Sequence, residues 1–118
     1  MILPDVLMEH SNLTEKQLES LMSYVRVVAG EMRYREAAAM RSEKPVTIGS
    51  YYRTVQQGRI QVRESIVTVL IAIAVGLIKV EDIRRLLELV GKGDAEVAEE
   101  DRIRFAMILQ TLLDKIVM

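Results

Sequence analysis

From Ile48 to Ile73 the side chains Ile48, Tyr52, Val55, Arg59, Val62, Ile66, Val69 and Ile73 recur at steps of three and four. That step holds one face of a helix with 3.6 residues per turn. The β-branched residues of 66–73 also suit a strand, but the patterned region is too long for one. Gly58 falls in the middle of the run and costs about 1 kcal/mol relative to Ala inside a helix. The rhythm therefore leaves two readings open, one helix from about 48 to 75 or a break at Gly58. Either way the chain is committed to helices.

The end of this run is IVTVLIAIAVGLI, Ile66 to Ile78, 13 residues without a charge between Glu64 and Lys79. A membrane-spanning helix needs roughly 20 apolar residues, whereas about 10–14 is the length of a buried core helix. The expectation is a core helix and no membrane contact. A chain of 118 residues, half of it hydrophobic, is long enough for one domain with a real core. With no Trp and one Phe, that core must be aliphatic, drawing also on the seven Met. Residues 1–7 lack a basic start followed by an apolar stretch, so no secretory signal is read and a cytoplasmic location is expected.

Upstream, residues 1–12 show no sustained period and read as a flexible N-terminal arm before a single all-α domain over 13–118. Thr14 and Gln17 have capping-box spacing, with Leu13 and Leu18 at the hydrophobic-staple positions. Leu18, Leu21, Val25, Val28, Met32 and Ala39 then predict one helix reaching Met40 or Arg41. Ser42 to Val46, SEKPV, is the clearest break, because Pro45 lacks an N–H and pushes Lys44 out of the helical region. Thr47 follows as a cap for the next helix. Gly76 marks a stop. Lys79 to Val90 reads as a short helix ended by Gly91 and Gly93, and Asp94 as the cap of a last helix. The architecture expected is four to five helices.

Catalytic and metal-binding motifs are missing from this pattern. The chain has one His, His10, and no Cys, no G-x-S-x-G, no HExxH and no phosphate-cradling glycine loop. The acids Glu96, Glu99, Glu100 and Asp101 suit the first turn of a helix, where the macrodipole favours them. The expectation is a non-enzyme without metal or cofactor.

Charge is the informative quantity. The formal net charge is −1, yet residues 26–63 carry eight basic against three acidic residues, net +5. The flanks, 1–25 and 64–118, are each net −3. A basic segment between acidic flanks is the form a phosphate-facing patch takes in a near-neutral protein. Its centre, SYYRTVQQGR from Ser50 to Arg59, has no acid at all. The rhythm puts Tyr52 and Val55 on the inward seam. It leaves Ser50, Arg53 or Tyr51, Gln57 and Arg59 on the outer face.

The stretch YREAAAMRSEKPVTIGSYYRTVQQGR, Tyr34 to Arg59, resembles a helix–turn–helix DNA-binding unit, and with the basic residues to Arg63 it spans 34–63. YYRTVQQGR before an apolar helix is similar to small archaeal helix–turn–helix proteins and to the distal helical region of sigma factors. The break Ser42–Val46 is five residues, where such turns run three or four. In this likeness Ala37, Ala38 and Ala39 let the recognition helix pack closely across the lead helix. Thr47, Ser50, Tyr51, Arg53 and Gln57 would meet bases or the groove wall, and Arg41, Lys44, Arg59 and Arg63 phosphates. The resemblance implies a transcriptional regulator on duplex DNA, acting as a homodimer. The alternatives are a helical protein–protein interaction module, for which seven Met provide adaptable contacts, and an RNA-binding subunit.

Overall fold

Thr14 opens the first helix as its spacing asks. Its Oγ1 accepts from the Gln17 N–H at 3.1 Å, and the Gln17 side-chain oxygen accepts from the Thr14 N–H at 3.0 Å. Two amides at a helix start are thereby satisfied reciprocally. The computed structural model describes residues 7–8, 11–41, 44–93 and 99–116, leaving aside the side chains of 92, 93, 99–103, 105 and 106. Among these residues there are five helices and no strand: α1 Glu15–Val28, α2 Tyr34–Ala39, α3 Ile48–Ala74, α4 Val80–Gly93 and α5 Glu99–Ile116. The fold is all-α. Most of the expected arm at 1–12, His10 and the Asp94 cap lie outside the described residues.

The single helix expected from Thr14 to Met40 or Arg41 is two helices. Gly30 stops α1 with φ +80°, a left-handed conformation that side chains with a Cβ rarely adopt. The Gly30 N–H bonds the Val27 carbonyl at 3.1 Å and the Glu31 N–H bonds the Arg26 carbonyl at 2.9 Å. This pair of bonds is a Schellman cap. It resets the helical phase. Met32, beyond the cap, lies in the core, while Val25 and Val28 are exposed because α1 turns Ser20, Leu21, Tyr24 and Val27 inward instead. Gly76, at φ +83°, ends α3 by the same device, the Leu77 N–H bonding the Ala72 carbonyl at 2.9 Å. That stop is where the sequence puts it.

Gly58 does not break α3. The helix runs unbroken for 27 residues, about 40 Å at 1.5 Å per residue. Its glycine is a contact position. A Cβ at Gly58 would stand 2.8 Å from Leu21 Cδ1 and 3.1 Å from Leu21 Cγ, so the missing side chain is what seats Leu21 of α1 against the α3 backbone.

The chain gathers into two compact units, residues 12–65, and residues 66–118 with 1–11. The sequence pattern implies one domain over 13–118. α3 contributes residues 48–65 to the first unit and 66–74 to the other. In the unit 12–65, Met32, Ala37, Ala38, Tyr51 and Val55 form the core, with Leu21, Tyr24, Val27 and Val46 packed against it. Ala37 and Ala38 of α2 are buried in the same core as Tyr51 and Val55 of α3. In the other unit Ile78, Leu109 and Ile116 are buried.

Substitution of Gly58 by Ala sets a helix-propensity gain of about 1 kcal/mol against about 1–3 kcal/mol of overpacking on Leu21. The expected net is a loss of about 1 kcal/mol in urea-unfolding stability. In a Leu21→Ala background the same change becomes stabilising, because the obstructing atoms are gone. A Gly58→Ala gain of equal size in both backgrounds contradicts this role for Leu21.

Candidate nucleic-acid interface

Thr47 caps α3. Its Oγ1 accepts from the Ser50 N–H at 3.1 Å, and its carbonyl accepts from the Tyr51 N–H at 2.9 Å. Ahead of it, the Val46 N–H bonds the Ala38 carbonyl at 3.1 Å and ties the connection back to the end of α2. Pro45 and Val46 are non-helical, as expected, but residues 40–47 separate the ends of α2 and α3. Eight residues intervene where helix–turn–helix turns have three or four.

Successive residues on a helix are rotated by about 100°, and this decides the outcome for each candidate on α3. Tyr51, Val55 and Gly58 form its buried seam. Tyr51 is fully buried, so its expected role at bases is corrected: its ring is core. Tyr52, expected inward, is 45% exposed. The rhythm is right in period and places Val55 correctly, but the buried seam is turned toward Tyr51 and away from Tyr52. Ile48 and Val62, also expected inward, are exposed; Val62 continues the Tyr51, Val55 and Gly58 spacing and is simply left uncovered.

The other eight candidates lie at or near the surface. Thr47, Ser50, Arg53, Gln57, Arg59, Arg63 and Lys44 are exposed and Arg41 is half-buried. They do not make one patch. Ser50, Arg53 and Gln57, at steps of three and four, line a stripe of α3 facing away from Tyr51 and Val55. Tyr52, Arg59 and Arg63 line a second stripe on the other flank of the buried seam. Lys44 and Arg41 belong to the connection. Ion pairs among the described residues include Arg26 with Glu31 and Arg85 with Asp82, and neither of these involves the candidate basic groups. Arg26–Glu31 is half exposed on both sides and contributes at most about 1 kcal/mol.

Arg59 has an aromatic neighbour instead. Its guanidinium lies 5.5 Å from the centroid of the Tyr24 ring, within cation–π range. Tyr24 belongs to a cluster of all four tyrosines of the chain. Tyr34 stands at its centre, with ring centroids 6.3 Å from Tyr24, 6.4 Å from Tyr51 and 6.1 Å from Tyr52. The last two pairs meet edge to face, the arrangement ring quadrupoles favour. Sequence reasoning missed Tyr24 and Tyr34 as part of this site. The signal lay in Gly30, which folds the chain between them and brings the start of α2 back beside α1.

Beneath the cluster the Tyr51 hydroxyl is anchored. It donates to the Ser20 carbonyl at 3.0 Å and lies 2.7 Å from Ser23 Oγ, which itself reaches the Ser20 carbonyl at 3.0 Å. Two hydroxyl protons thus serve three oxygen–oxygen contacts. Burial raises the Tyr51 pKa above its ordinary 10.0, the Ser23 bond opposing and Tyr24 assisting. Burial likewise raises the Tyr34 pKa, aided by the neighbouring tyrosines. Ser20 Oγ is buried and makes no hydrogen bond. Among the described residues no group of His, Cys, Asp or Glu could hold a metal ion. No family model matches this chain, and no curated protein or solved structure matches it either.

Three outcomes follow from this geometry. Ser20→Ala removes a buried, unbonded hydroxyl and is expected to raise unfolding stability by about 1 kcal/mol. Tyr51→Phe is expected to lower it by about the same amount. Since the native Tyr51 pKa lies above the unfolded value of 10.0, its stabilising effect is whole below pH 10 and is lost as pH climbs past it. Chemical denaturation across pH 9–11 (roughly) should show that loss in the wild type and a shallower one in Tyr51→Phe.

Proposed function

We propose that the protein binds duplex DNA through the N-terminal half of α3, as a regulator of transcription. The observation that carries the reading is the stripe Ser50, Arg53 and Gln57, exposed on the side of α3 opposite its buried seam. Arg and Gln are the side chains that bond guanine and adenine edges bidentately in the major groove. They sit near the start of a helix that Thr47 caps and that Tyr51, Val55 and Gly58 hold in one rotation. In this reading Arg41 and Lys44 of the connection, and Arg59 and Arg63 of the second stripe, serve the phosphates, whose contacts orient a protein without reading sequence. The net +5 of residues 26–63 supplies long-range attraction.

A second reading has its own observation. Tyr34 and Tyr52 are partly exposed rings of the cluster whose Tyr24 meets Arg59, and exposed rings in a basic region suit stacking on unpaired bases of RNA.

Fluorescence anisotropy with labelled duplex DNA over a salt series separates these outcomes. Wild type is expected to bind with affinity falling steeply as salt rises. Arg63→Ala should lower the salt slope by about 1 across all sequences. Arg53→Ala/Gln57→Ala should flatten discrimination between sequences by about 1–3 kcal/mol for each base edge no longer bonded. Absence of duplex binding at low salt, or equal binding by both variants, defeats the DNA reading. Preference for single-stranded RNA, abolished in Tyr52→Ala, would put the RNA reading in its place.

A further inference from the structure

The run Ile66 to Ile78 is expected in the core, and most of it is outside. Ile66 is 55% exposed, Val67 49%, Leu70 59%, Ile71 58% and Val75 72%. Of the run, Ile78 is buried. Between Glu64 and Lys79 no residue carries a charge. A helix apolar around most of its circumference belongs in an interior. Among the described residues no helix is long and apolar enough to cross a membrane. Within one copy of the chain this end of α3 is left half uncovered.

We infer that a second copy of this chain covers it, the two copies pairing through the 66–75 segment of α3 about a two-fold axis. Three properties select that occupant. The first is area. The five large side chains together expose about 500 Å² on each copy, so full pairing of two copies buries up to about 1,000 Å², the lower bound for a specific interface. The second is spacing. Val67, Leu70, Ile71 and Ala74 follow steps of three and four, the seam of two helices packed along their length, and small Ala74 permits close approach. The third is charge. The seam is uncharged, so two copies bring no like charges together along it. An isologous contact needs one surface that complements itself, and a charge-free apolar stripe does so. The inference stands on apolar exposure and is independent of whether the basic half of α3 binds DNA.

Sedimentation equilibrium of the full chain tests it directly. Wild type at micromolar concentration is expected at twice the 13.4 kDa chain mass, and Leu70→Glu/Ile71→Glu at the single mass with its helical circular dichroism retained. The natural chain has no cysteine, which permits a second test independent of that variant's folding. Val67→Cys, Leu70→Cys and Ile71→Cys are made singly and treated with a short bis-maleimide. At least one should give a covalent dimer in high yield, while Arg84→Cys, on the exposed surface of α4, should give none. A monomeric wild type overturns the inference. So does a dimer that survives Leu70→Glu/Ile71→Glu, or cross-linking from Arg84→Cys as efficient as from the stripe. A wild type that stays monomeric but binds phosphatidylcholine vesicles assigns the stripe to a lipid surface and overturns it too.

Discussion

The arrangement of residues 12–65 depends on how closely α3 can approach α1 and α2. Helices come together only where bulky side chains leave room, and here Gly58 provides it against Leu21, while small Ala37 and Ala38 of α2 share the core with Tyr51 and Val55. Once that approach is made, Tyr51 and Val55 have one place to go, and both are fully buried. The rotation of α3 about its own axis is then settled. Every outward-facing position on its N-terminal half, Arg53 and Gln57 included, follows from packing on the opposite side.

The tyrosine cluster reinforces this rotation by polar means. Tyr51 is large and buried, and a buried phenol needs a partner. It finds the Ser20 carbonyl and Ser23 Oγ on α1, so the hydrogen bonds that satisfy it also hold α3 to α1. Tyr34 reaches the cluster because the Gly30 turn doubles the chain back, and it connects the buried Tyr51 to the half-exposed Tyr52. Arg59 is thereby held over Tyr24 without an acidic partner among the described ion pairs. A guanidinium beside a ring keeps most of its hydrogen-bond donors available to another partner.

The two halves of α3 have opposite chemistry. Up to Arg63 the outward positions include Arg53, Gln57, Arg59 and Arg63 among apolar ones such as Ile60; from Ile66 they are uncharged and mostly Ile, Val and Leu. A single continuous helix therefore carries a polar, basic surface at one end and an apolar one at the other. Under the proposed function, the first surface recognises a charged ligand and the second joins copies of the chain. Both roles use side chains that the folded unit leaves uncommitted.

Much of this was legible in the residues. Thr14 with Gln17, Pro45 before Thr47, and Gly76 after Ala74 mark helix ends through bonds that span three to five residues, so sequence contains both partners of each. The all-helical class follows from a period that no strand can sustain. The net +5 of residues 26–63 is likewise a sum over residues. What sequence left open was rotation and cover. Tyr51 and Tyr52 are chemically identical neighbours about 100° apart, and choosing between them requires knowing that Leu21, far away in the chain, fills the space at Gly58. The rhythm from Leu18 to Ala39 hid the turn at Gly30, since a period records which faces are apolar and not whether the backbone between them stays helical. Only the tertiary structure put Ile66 to Val75 outside, because burial depends on what packs against a helix and no residue on that helix encodes it.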